Sequence, residues 1–223
     1  MGEDAVVGDL AEIGQLETLV ERARALARRP ERALLGVTGP PGVGKTTLAH
    51  TLVAAVGPAA RLVGMDGFHL SQAVLAARGM AERKGAIDTF DAAGFVALVR
   101  RLRASDGDTV YAPEFRREVE EAIAGAVPIE PEVRLVVVEG NYLLADAAPW
   151  DQLAGLLDET WFVERDEAAR LADLVQRHVL FGKSDAQAQA WAHGSDQQNA
   201  TAIAATRWRA DLVARLEGQL AAR

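Results

Sequence analysis

The 223-residue chain contains no cysteine. Disulfides, thiolate nucleophiles and thiolate metal sites are therefore excluded together. Histidine is scarce as well, and four scattered imidazoles make no zinc cluster. Positive charge is in deficit: 24 Lys and Arg against 32 Asp and Glu leave a formal charge of -8, which argues against a polyanionic partner such as nucleic acid. A locally positive cleft for a small phosphorylated ligand stays compatible with that balance. Trp191 and Trp208 lie in stretches of helical period and read as packing residues, not as a platform for stacked bases. No apolar run approaches the length of a membrane span. The opening "MGEDAVVGDL" has no basic region followed by an apolar stretch, and Val6 stands where a myristoylation signal expects a small hydroxyl residue. A cytoplasmic protein with neither nucleic acid nor membrane as partner is expected, and nothing here excludes a homodimer.

What is present reads as one domain carrying an excursion. Residues 10–29 place Leu10, Ile13, Leu16, Leu19, Val20, Ala23 and Leu26 at helical spacing, and Pro30 stops the run. "ALLGVT" is too short for a typical helix and leads directly into "GPPGVGKTT", so strand, glycine loop and a helix over 45–56 are expected. "RLVGM" predicts a second strand and "HLSQAVLAARG" another helix. Residues 80–132 loosen into polar "ERKGAIDTFD", helical "AAGFVALVRRLRAS" and an irregular loop with one or two short strands, an excursion over the active face. "VRLVVVEG" returns as a continuously apolar strand, followed by helix-like "WDQLAGLLD", the strand "TWFV" and two helices, "DEAARLADLVQRHVL" and "ATRWRADLVARLEGQL". The alternation, without repeats or linkers, predicts a single α/β unit over 1–223 with a mostly parallel sheet.

The segment Gly39, Pro40, Pro41, Gly42, Val43, Gly44, Lys45, Thr46 satisfies G-x-x-x-x-G-K-[ST], with Thr47 continuing the helix. Its glycines let backbone N–H groups approach phosphate oxygens, the helix start adds partial positive charge, Lys45 supplies a cation, and Thr46 can hold Mg²⁺. ATP and Mg²⁺ are the expected cofactors. Magnesium calls for a carboxylate, and Glu139 stands just past a buried strand. Asp66 ends another strand, and ligands of open parallel sheets collect beyond such ends, so the three strand ends can converge on one crevice. Transfer of a γ-phosphoryl group needs its developing charge neutralised and an acceptor held in line. Asp66 suits the second task as acceptor of a hydroxyl proton, and it also stands as a metal-site candidate with Thr46 and Glu139. Arg165 and Arg177, within a lid expected over 164–185, suit the first, with Arg170 and Lys183 as further cations there.

Taken in order, "GVTGPPGVGKTT", "VGMDGFHL", "GAIDTFD", "VYAPEF", "VVVEGNYLL", "WFVERD" and "DQQNATAIAATRWRA" resemble the family of P-loop kinases that contains uridine kinase, bacterial pantothenate kinase and phosphoribulokinase. The resemblance covers nearly the whole chain after the first helix. It implies the three-layer α/β/α fold of P-loop NTPases and an ATP:alcohol phosphotransferase acting on a small-molecule hydroxyl, with Asp66 as general base. It further implies that Asp88, Tyr111, Arg117 and Tyr142 lie near the acceptor, that Arg165 begins the lid, and that Asn199 to Arg207 return beside the adenine. His69 is a candidate for touching the acceptor or fixing a loop, and His178 for bracing the lid. One departure stands out: relatives commonly read Pro-x-Phe-Asp-Arg where this chain has "PEFRR". Arg116 thus replaces an acid, and it either favours a charged acceptor or points to solvent. Nucleosides, ketoses, pantothenate-like hydroxyacids and phosphorylated sugars remain candidate acceptors. The competing class is a P-loop GTPase or ATPase switch or metal chaperone. "FGKSD" offers only part of a guanine-reading motif, with Gly182 in the place of Asn or Thr.

Overall fold

A computed structural model describes residues 10–104 and 106–215. "MGEDAV" and residues 216–220 of the expected final helix lie outside them. The chain runs β1 (Ala11–Ile13), α1 (Leu16–Ala27), β2 (Ala33–Thr38), α2 (Lys45–Val56), β3 (Ala60–Gly64) and α3 (Gln72–Ala77) before the excursion. The excursion contains α4 (Ala92–Ala104) and an antiparallel hairpin of β4 (Val110–Arg116) and β5 (Glu121–Ile129). Then come β6 (Leu135–Glu139), β7 (Glu159–Glu164), the consecutive helices α5 (Glu167–Leu180), α6 (Asp185–His193) and α7 (Ser195–Ala204), and finally β8 (Leu212–Arg215).

Six strands form one sheet in the order β1-β8-β7-β2-β6-β3, every pair parallel. Strand alternation divides its side chains between two cores. Leu34, Val136 and Val138 pack on one face with Phe95 and Val99 of α4, whereas Leu35, Val37 and Val137 pack on the other with Leu19 of α1 and Leu48 and Leu52 of α2. Coverage on both faces explains why β2 and β6 read as continuous apolar runs and not as alternating ones. The result is a three-layer α/β fold. Buried Arg32 braces one end of it: its guanidinium donates to the carbonyls of Val133, Leu102 and Glu130, joining the last turn of α4 to the approach to β6.

Three expectations need correction. The helix placed over 10–29 begins only at Leu16, because Ala11–Ile13 pair in parallel with Leu212–Ala214. That same pairing overturns the final helix: Leu212, Val213 and Ala214 are consecutively buried, a pattern that suits a strand covered on both sides. "WDQLAGLLD" forms a 3₁₀ turn over Trp150–Gly155 in place of a regular helix.

The register sets the site. Glu139 is abreast of Val37 on β2 and of Gly64 on β3. Gly39 and Asp66 therefore each stand two residues beyond that row, at the same edge of the sheet.

Candidate active site

Between β2 and α2 the chain forms the phosphate-type loop. Gly39 has no tolerance for a side chain, since a Cβ there would sit 2.6 Å from the Val163 carbonyl oxygen on β7. Lys45, the first residue of α2, is 7% exposed and its Nζ donates to the Pro40 carbonyl at 2.9 Å. Burial pushes its ammonium down to about 8, while Glu139 and Asp66 pull it upward and Arg177 and Arg170 add to the depression. The cation is thus folded back across its own loop, over the backbone that an anion would occupy.

Thr46 Oγ1 donates to Glu139 Oε2 at 3.3 Å. Burial raises the Glu139 carboxyl above its ordinary range, Lys45 draws it down, and Asp66 raises it again. Among the described residues no cluster of three or more His, Asp or Glu residues is able to hold a metal ion by itself. The Thr46 hydroxyl and the carboxylates of Glu139 and Asp66 are nevertheless the hard oxygen donors that suit Mg²⁺, which keeps several waters and takes phosphate oxygens for its remaining positions. These residues fit a magnesium ion that arrives with a nucleotide.

Asp66 lies in the 3₁₀ turn Met65–Phe68 that follows β3. Its side chain is 42% exposed. The Asp66 carbonyl is 3.0 Å from His69 Nδ1, and because a carbonyl only accepts, Nδ1 carries the proton. Burial holds His69 below the usual imidazole range, so the neutral ring presents Nε2 as an acceptor. That ring packs on Phe90, centroid to centroid 4.0 Å, and on Phe115 of the hairpin at 5.3 Å.

A cavity of about 540 Å³ collects these groups. Pro41, Gly42, Lys45 and Thr46 form its phosphate-loop wall, Asp66 and Glu139 its carboxylate wall. Arg177 and His178 of α5, with Phe181 and Lys183 just after it, line another wall, and Arg117 enters from the hairpin. Arg117 lies 5.5 Å from the Phe181 ring and Lys183 4.5 Å from the Trp191 ring. Among the described residues Arg117, Arg177 and Lys183 make no ion pair, and Asp196, Asp66 and Glu139 are the carboxylates whose charge Arg177 feels. His178 Nε2 bonds Asp196 Oδ2 at 2.7 Å, tying α5 to α7 beside Arg177.

Other candidate residues are placed elsewhere. Arg165 does not line the cavity and pairs with Asp173. Arg207 pairs with Glu164 and Glu12, which raises its pKa and fastens β7 to β1. Tyr111 is 57% exposed on the hairpin and lines neither of the two cavities described here. Asp88 and Tyr142 face a second, adjoining cavity of about 530 Å³, where Asp88 pairs with Arg83 and Tyr142 donates to the Gly85 carbonyl at 2.7 Å. Asn199 stands on the wall between the two cavities. Arg116 pairs with Glu114 and is turned away from both cavities.

Two residues have more prominence in three dimensions than in the sequence. Arg170 is 1% exposed and bonds the phosphate loop directly. Its seven-residue spacing from Arg177, two helical turns, already places both on one face of α5. Lys84 also lines the main cavity, and it carried no signal beyond a polar segment.

No protein-family model matches the chain. The Schizosaccharomyces pombe protein named "Putative uridine kinase C227.14" is 31% identical over 183 residues, 78% of each protein. The solved structure of a "putative fructose transport system kinase" from Silicibacter sp. TM1040 superposes with a TM-score of 0.80 at 41% identity, covering 89% of this chain and 98% of that one. The chain belongs to the P-loop kinase superfamily. An ATP-dependent kinase-like protein of Aspergillus versicolor, notR', is 42% identical over 125 residues, 53% of this P-loop kinase homologue and 73% of its own length. Uridine and pantothenate kinase-like proteins are its homologues.

Proposed function

We propose that this chain transfers the γ-phosphate of ATP to a hydroxyl of a small polar metabolite of the sugar or nucleoside class. The observation that carries the reading is the convergence of Lys45, the Thr46–Glu139 pair and the Asp66 carboxylate on one cavity at the carboxyl edge of the sheet. The names borne by two relatives, uridine kinase and fructose transport system kinase, support an acceptor of this kind.

In this reading Lys45 exchanges the Pro40 carbonyl for phosphate oxygens, and backbone N–H groups of residues 39–46 complete the cradle. Thr46 and Glu139, with Asp66 adjoining, would hold Mg²⁺, which would supply positive charge against the phosphates. Asp66 accepts a hydrogen bond from the acceptor hydroxyl. As that oxygen bonds the γ-phosphorus, the bond to the β,γ-bridging oxygen breaks, ADP leaves, and the hydroxyl proton passes to Asp66. Arg177, Arg117 and Lys183 stabilise the charge spreading over the transferred group.

The test is product-verified transfer, by ³¹P NMR and mass spectrometry, from ATP with Mg²⁺ to uridine, cytidine and fructose. Phosphorylated product is expected from at least one hydroxylated acceptor. Nucleotide hydrolysis that no small alcohol alters, and that responds instead to a protein partner, would overturn the reading in favour of a switch.

A further inference from the structure

The acceptor end of the main cavity carries a cation where a sugar-reading carboxylate was expected. Asp88, the candidate for gripping a diol, faces the adjoining cavity and is engaged by Arg83. Lys84, four residues earlier, lines the main one. The intervening Gly85 has φ +100°, a left-handed conformation that sends the chain on a new course between them. Lys84 Nζ lies 5.0 Å from the centroid of the Phe115 ring, the same ring that packs on His69 at 5.3 Å, and His69 Nδ1 is bonded to the Asp66 carbonyl. Lys84 and the Asp66 turn thus share an aromatic neighbour, and both line the same cavity.

In the structure this ammonium is held by one residue. It donates to the Glu120 carbonyl at 3.0 Å and meets Glu120 Oε2 at 3.3 Å. Glu120 sits in the tight connection of the hairpin, at φ +54°, the one non-glycine residue with positive φ among those described. The two partners differ in their access to water: the Lys84 side chain is 16% exposed and that of Glu120 is 58% exposed. A carboxylate that keeps most of its hydration gives up an ion pair at little cost, whereas a sheltered ammonium left alone does not. The other groups nearby leave Lys84 as the free reader. Glu121 accepts from the Gln72 N–H at 3.0 Å, His69 is neutral, and Arg117 lies on the phosphate side beside Phe181.

We infer that the phosphate acceptor carries an anionic group, a carboxylate or a phosphate, which binds Lys84 in place of the Glu120 carboxylate while its hydroxyl faces Asp66. This rests on the kinase reading above; within it, phosphorylated sugars are favoured over neutral sugars and nucleosides, and hydroxyacids enter as a second class of acceptor. Glu120 then acts as an internal stand-in for the substrate anion.

Matched acceptor pairs test it: panthenol against pantothenate, glycerol against glycerate, and fructose against fructose 6-phosphate, each with ATP and Mg²⁺. The anionic member of at least one pair is expected to be turned over with kcat/KM about 10- to 100-fold above its neutral partner, the worth of one charge-assisted hydrogen bond. Carboxylate and phosphate arms separate the two sources of charge. K84M should remove that preference through the KM of the acceptor, K84R should restore part of it, and E120Q should lower the KM for the anion. Binding is measured in parallel as the anion-induced rise in melting temperature with a nonhydrolysable ATP analogue present. Equal use of both members of every pair, or a preference that survives in folded K84M, overturns the inference and leaves the kinase reading intact. Lys84-dependent binding without any transfer has the opposite meaning: the anion site stands and the reaction assignment falls. Absence of both binding and transfer across all pairs rejects the anion site.

Discussion

Arg170 donates from Nη1 to the Pro41 carbonyl at 2.9 Å, from a side chain that is 1% exposed. Its Nε and Nη2 hold Glu167, and Nη2 also reaches Gln197 on α7. One buried guanidinium therefore ties α5 and α7 to the backbone of the phosphate loop. In a trans peptide the carbonyl and the N–H point in opposite directions. Fixing the Pro41 carbonyl on Arg170 consequently turns the Gly42 N–H away from it, and both residues line the cavity.

R170M is expected to weaken ATP binding by about ten-fold, the scale of one buried charged hydrogen bond, and to lower the melting temperature. R170K retains a cation without the planar fork and should fall between the two. Calorimetric ATP titration beside thermal denaturation checks this. A folded R170M with wild-type ATP affinity would remove Arg170 from the loop's support.

Lys45 makes ATP affinity pH-dependent. In the ligand-free protein its pKa is depressed from 10.5 to about 8, so the ammonium is present below that value and lost as pH rises through it. Affinity should hold steady from pH 6.5 to 7.5 and then fall, by at most about ten-fold per pH unit, because only the protonated side chain attracts phosphate. K45M should bind weakly at every pH and show no such decline. A wild-type titration flat to pH 9.5 would contradict the role assigned to Lys45.

Asp66 and Glu139 are predicted to fail differently when each loses its charge. D66N should retain ATP binding and lose phosphoryl transfer by about 10²-fold or more, the usual contribution of a positioned base. E139Q should keep Thr46 hydrogen-bonded and instead raise the Mg²⁺ concentration needed for half-maximal rate. Rates measured against acceptor and against Mg²⁺ at saturating ATP distinguish the two. Equal kcat for D66N and the wild-type protein would end the general-base assignment.

Much of the site is legible in the chain because its parts are local. The loop from Gly39 to Thr46 is contiguous, with its strand before and its helix after, and α2 spans 45–56 as the spacing predicts. Asp66 and Glu139 are legible for a related reason: each closes a short apolar run, and parallel strands in a crossover sheet bring such ends to one edge. Arg177 follows from helical period, whereas the proline and glycine punctuation before β6 predicts only an irregular loop with one or two short strands, where the structure has a hairpin.

Tertiary structure decided what depends on distant partners or on the direction of a turn. Ala11–Ile13 become a strand only because Leu212–Ala214, some 200 residues away, offer it an edge, and no local period encodes that pairing. "ADLVAR" satisfies a helical and an extended reading alike, and burial against β7 selects the second. Asp88 and Lys84 occupy one polar segment in the sequence, yet on either side of the turn at Gly85 they line different cavities. Arg170 reads as one more charge on an exposed helix until α5 folds onto the phosphate loop and leaves its guanidinium the Pro41 carbonyl to bond. The sequence by itself determined the phosphate-type loop, whose residues are neighbours along the chain; only the fold determined which charged side chains line the cavity beside it, because those come from segments that meet solely through packing.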